Sequence, residues 1–216
     1  LLCSTKYYKE SIMNQSSQHL EDIKVIKKIM EESSRFLSLS GLSGVFMGLF
    51  AIAGAIAAKM IIADGDISGQ GYTGSIMADP EGKRVLGLLL ADAGVVLFLA
   101  LVAAVLFSYR KAAKSGHSIW TPVSRRLLLN LFIPLVTGGL FILITLGRIP
   151  ATVSVAATLI FYGLALVNAG KFTFGEIYWL GVLEVVTGLI CLLLPGYTIL
   201  IWAFGFGVLH ITYGFY

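Results

Sequence analysis

FGEIYWLGVLEVVTGLICLLLPGYTILIWAFGFGVLHITYGFY, residues 174–216, decides the fold. It contains two apolar runs, Phe174 to Leu194 and Tyr197 to Tyr216, parted only by Pro195-Gly196. A helix needs about 20 apolar residues to cross a hydrocarbon core of ~30 Å, and each run has that length. Proline lacks the amide hydrogen that would continue the first helix, and glycine lets the chain reverse. The stretch therefore reads as an antiparallel helical hairpin in lipid.

Working outward, four more segments of the same kind precede it: 36–63, 85–109, 127–146 and 149–169. The last four of the six spans, ending 174–194 and 197–216, are joined by very short connections such as Gly147-Arg148. The expected fold is all-α, a bundle of six transmembrane helices over residues 36–216, after a tail of residues 1–35. Composition agrees. The 216 residues are 57% hydrophobic and 13% charged, where a soluble domain carries about 25% charged residues. The surface must face lipid.

In the tail, Leu20, Ile23, Ile26, Ile29 and Met30 recur at helical spacing among Glu21, Asp22, Lys24, Lys27, Lys28, Glu31 and Glu32. That pattern predicts an amphipathic cytoplasmic helix that packs on the protein's own loops, lies on the inner leaflet or docks on a regulatory partner. The apolar run after it is too long for the core of a signal peptide, so it is read as a retained first span. The first methionine is Met13 and the chain stops inside an apolar run at Tyr216, so both ends are expected to be incomplete.

Orientation follows from basic residues, which concentrate on the cytoplasmic side. Lys6, Lys9, Lys24, Lys27, Lys28, Arg35, Arg110, Lys111, Lys114, Arg125, Arg126 and Lys171 fall on one side of the six spans. The other side has Lys83, Arg84 and Arg148, with Lys59 near that end of the first span. Both termini are thus expected in the cytoplasm, and residues 64–84 outside. The net charge of +4 sits in segments flanking apolar runs and forms no basic stripe interleaved with aromatics, so no nucleic-acid partner is expected. The expected partners are the bilayer, a second copy of the chain or a cytoplasmic regulatory protein.

Ionisable groups within a span cost a few kcal/mol near the bilayer centre, so each needs a partner, water or a purpose. Four qualify: Lys59, Asp92, Glu184 and His210. Glu184 lies near the midplane between Gly181 and Gly188, and His210 lies between Gly207 and Gly214. These glycines, with Gly44 and Gly48 of the first span, are candidate helix-packing positions, because a missing side chain lets backbones approach closely. Counting outward from Pro195-Gly196 sets Glu184 level with Gly207 and His210 level with Gly181, about one helical turn apart. Such a pair either fixes the packing of two helices or passes a proton, since histidine titrates near neutrality. Lys59 either reaches Asp92 or extends to the outer interface.

Asp64, Asp66, Ser68 and Gly69 match part of a calcium loop, but Ser75 stands where the bidentate glutamate belongs, so a flexible polar loop is the better reading. The two cysteines, Cys3 and Cys191, support no disulfide framework or zinc site. His19, His117 and His210 lie in different regions, and no HExxH, GxSxG, P-loop or GxGxxG occurs at a usable place. No metal, cofactor or enzymatic activity is expected.

The leader EDIKVIKKIMEESSRFLSLSG, the segment GVFMGLFAIAGA and the closing GVLEVVTGLICLLLPGYTILIWAFGFGVLHITYG together resemble a group of bacterial six-helix inner-membrane proteins with no assigned activity. The closing hairpin is also faintly similar to helix pairs of small bacterial acid-resistance membrane proteins. The resemblance implies a bacterial inner-membrane location and brings no site residues. The resulting expectation is a non-enzymatic structural, regulatory or stress-related membrane protein. The alternative is a small proton-coupled carrier using Glu184 and His210.

Overall fold

The computed structural model describes Ile23 and residues 41–64, 80–114 and 120–215. Apart from Ile23, the expected amphipathic leader lies outside the described residues, as does most of the loop bearing the partial calcium match. Six helices follow one another: α1 (Gly41–Asp64), α2 (Pro80–Lys114), α3 (Pro122–Thr145), α4 (Ala151–Ala169), α5 (Gly175–Leu193) and α6 (Pro195–Phe215). No strand occurs among the described residues. All six helices are long and apolar enough to cross a bilayer, which makes the chain a multi-pass membrane protein.

The helices start where local chemistry favours a start. Thr121 caps α3 reciprocally with Ser124: the Ser124 amide donates to Thr121 Oγ1 at 3.1 Å and the Thr121 amide to Ser124 Oγ at 2.8 Å. Pro122 occupies the first turn, where its missing amide hydrogen is no loss. α2 is longer than the run 85–109 that hydropathy marks, at 35 residues, or about 52 Å. Its ends carry the signals that extend it. Pro80 and Glu81 suit the positive end of the helix dipole, and Lys111 and Lys114 suit the negative end. Residues 80–84 and 110–114, read as loop, are therefore helical. Pro134 sits inside α3 without ending it.

The connections are tight. Gly147 turns the chain between α3 and α4 with φ 73, a left-handed conformation that glycine adopts without penalty. A 3-10 turn, Gly170–Phe172, links α4 to α5. Lys111 at the end of α2 lies 5.3 Å from the centre of the Phe174 ring just before α5, which sets those two ends on one face.

The centre of the bundle is α4, α5 and α6; α1 packs on α6, α2 on α1, and α3 on α4. Glycines govern the closest contacts. A Cβ on Gly181 would stand 2.7 Å from both the Gly163 carbonyl and the Val167 amide of α4. One on Gly48 would stand 2.5 Å from the Gly207 carbonyl of α6. Such approach supplies the dispersion contacts that hold helices together where lipid gives no hydrophobic drive. Phe98, Val105, Ile133 and Leu143 on the outlying α2 and α3 are exposed, as lipid-facing side chains should be.

Candidate functional site

α6 is not uniformly α-helical. After the 3-10 turn Pro195–Tyr197 and the α-helical Thr198–Trp202, residues Ala203–Leu209 form a π-helix, and the α-helix resumes at His210–Phe215. Bonding from i to i+5 shifts the phase of every later side chain, and π-segments often mark functional sites. Here the shift brings His210 against α5.

Glu184 of α5 is wholly buried and His210 is 3% exposed. His210 Nδ1 lies 3.3 Å from Glu184 Oε1 and 3.3 Å from the Gly205 carbonyl. The other ring nitrogen, Nε2, is 2.8 Å from the Tyr162 hydroxyl of α4. The Gly205 carbonyl can only accept, so Nδ1 carries a hydrogen; in the neutral ring Nε2 then accepts from the Tyr162 hydroxyl. The carboxylate sits within ion-pair distance of Nδ1 but off the direction of its N–H. Neither Glu184 oxygen has a hydrogen-bond partner among the described residues. Buried polar atoms are nearly always satisfied, so two orphaned oxygens on one wholly buried carboxyl call for an explanation.

The oxygens owe their position to a missing side chain. A Cβ on Gly205 would lie 2.8 Å from Glu184 Oε2 and 2.6 Å from Leu159 Cδ2. Thr187, one turn along α5 from Glu184, is also buried. Three helices therefore close on one carboxyl, with His210 as its polar neighbour and Tyr162 on the ring's other nitrogen.

The chemistry of this cluster turns on one proton. With a neutral ring and an ionised carboxyl, an uncompensated anion is left in a buried site, which is strongly disfavoured. One added proton makes either a carboxylic acid beside neutral histidine or a carboxylate beside imidazolium, and both are electrically balanced. Either balanced arrangement tolerates burial better than the bare anion does.

The other sequence-derived positions are placed as follows. Lys59 is exposed, and Asp92 is half-buried with its carboxyl beside Gly54 of α1. Arg84 pairs with Glu81, whereas Lys59 and Asp92 do not bridge. Gly44 and Gly48 meet α6 at His210, Gly214 and Gly207. The level matching expected from the turn is not what occurs. Gly181 and Gly188 face α4, at Gly163 and Ile160, and Gly207 faces Ile52 of α1; the glycine against Glu184 is Gly205. Glu184 and His210 are in contact instead of a turn apart. Sequence reasoning also missed Tyr162. Its signal was a hydroxyl about twelve residues into a span, where it needs a partner.

No known protein family, curated protein or solved structure matches this chain, so the site stands on its own geometry.

Proposed function

We propose that this protein is a non-enzymatic, proton-coupled membrane carrier of the bacterial inner membrane, with Tyr162, His210 and Glu184 as its protonation site. The observation that carries this reading is the pair of unpartnered oxygens on a wholly buried Glu184 beside a hydrogen-bonded His210. A carboxyl kept only for packing would be expected to have its oxygens satisfied. The protonated cluster is neutral and keeps the three helices closed. Loss of the proton exposes α5 to an uncompensated charge and favours an opened, hydrated bundle. The π-helix of α6 offers the backbone that can take up such a change.

The closure of the cluster, with His210 only 3% exposed, favours a second reading, in which Glu184 and His210 merely fix the packing of α5 on α6. Proton flux into liposomes containing the purified protein separates the two, with Glu184→Gln beside the native chain and thermal stability followed in parallel. The carrier reading expects flux that disappears in a stable variant. Absence of flux in both, with a destabilised variant, leaves the packing role and refutes the carrier. The cytoplasmic placement of both termini rests on the distribution of Lys and Arg; a reporter fused at Gly74 is expected to be external.

A further inference from the structure

Three cross-helix polar contacts join α4 to α6. Thr152 Oγ1 and Thr198 Oγ1 are 3.1 Å apart; the Trp202 indole N–H donates to Thr158 Oγ1 at 3.1 Å; the Tyr162 hydroxyl meets His210 Nε2 at 2.8 Å. They occur in order along α4, from its second residue inward. The ten residues from Thr152 to Tyr162 rise about 15 Å, half the thickness of a bilayer core. Thr152 lies just after the α3–α4 turn and Thr198 just after the α5–α6 turn, so the outermost contact sits at one membrane face. On α5, Glu184, Thr187 and Cys191 are all buried, at spacings of three and four residues that share one helix face. A lane of hydroxyl, indole and thiol groups thus runs between three apolar helices, from the turn-bearing face to the carboxyl.

A ring stands across the lane before His210. The Phe206 ring lies 5.0 Å from the Trp202 ring, 5.0 Å from the Tyr162 ring and 6.0 Å from the His210 ring, centre to centre. It belongs to the π-helical segment of α6 and separates the Thr158–Trp202 contact from His210. An apolar ring at that point excludes the water that a proton path needs.

We propose that protons reach Glu184 from the membrane face bearing the α3–α4 and α5–α6 turns, along the Thr152–Thr198 and Thr158–Trp202 contacts, with Phe206 as the closed gate before His210. This rests on the protonation role proposed for Glu184. The titratable group against that carboxyl is His210 of α6, with Tyr162 of α4 on the ring's other nitrogen and Cys191 two turns along α5 itself; α1, which backs α6, contributes Lys59 and Asp64, both exposed. The Thr158 and Thr198 hydroxyls donate to the Val155 and Pro195 carbonyls, so the proton moves through transient waters held along these contacts, and no other reactant is consumed.

The test uses the full chain in liposomes in one orientation. A pH jump is applied to one face at a time, and the carboxylic-acid infrared band of Glu184 is followed with time, with Glu184→Gln used to assign it. Thr158→Val keeps the shape and removes the hydroxyl; it is expected to slow proton uptake from the turn-bearing face at least tenfold without changing the final extent. Phe206→Ala is expected to speed uptake from that face. Trp202→Phe, which removes the indole N–H, repeats the first test if Thr158→Val does not fold. Equal rates in all variants, with the Glu184 band still titrating, would overturn the lane and leave the site. A band that never titrates, or one unchanged in Glu184→Gln, would overturn both.

Discussion

Gly205→Ala probes the tightest point of the site. The added methyl carbon would lie 2.6 Å from Leu159 Cδ2, 2.8 Å from Glu184 Oε2 and 3.5 Å from Thr187 Cγ2. Two of these are far inside ordinary van der Waals contact, on opposite elements. Neither neighbour has room to yield, since Leu159 and Glu184 are both fully buried. Overpacking of this kind costs about 1–3 kcal/mol. It also pushes Glu184 off His210, so the ring and carboxyl should lose their 3.3 Å approach. Gly94→Ala and Gly139→Ala serve as references, because a Cβ at either position meets nothing within 4 Å. They should be neutral or mildly stabilising, as alanine is the better helix former. Reversible unfolding of the purified protein in mixed micelles measures all three. A Gly205→Ala protein as stable as the references, with unaltered histidine NMR signals, would show that α6 can slide away from α5. The close contact would then be no constraint on the carboxyl.

Tyr162→Phe keeps the ring and strands His210 Nε2; a loss of about 1–3 kcal/mol is expected in the same unfolding assay, with a changed tautomer signal in histidine NMR. Thr121→Ala removes one half of the α3 cap and should lower stability by about 1 kcal/mol, seen locally as faster hydrogen exchange at the Ser124 amide. Gly147→Ala forces a side chain into the left-handed region at φ 73, so a loss of about 1–2 kcal/mol is expected from thermal unfolding.

The number of spans and their approximate places were legible in the sequence, because a run of apolar residues long enough to cross the bilayer is a local property. So was the standing of Glu184 and His210 as residues that need a reason to be kept in lipid. The ends of α2 were misjudged because Pro80, Glu81 and Lys111 read as loop by polarity, although each suits a helix terminus. Spacing showed that Gly181 and Gly188 share a face, as do Gly207 and Gly214, but not which helix each face meets. That depends on how each helix is rotated about its own axis, which only close packing against α4 and α1 settles. The π-helix at Ala203–Leu209 then shifts the phase of His210, so counting at α-helical spacing from Pro195 misses its contact with Glu184. Tyr162 arrives from a third helix, 48 residues from His210. The apolar lengths were written in the chain; the orphaned carboxyl and its neighbours exist only because three helices close on Gly205.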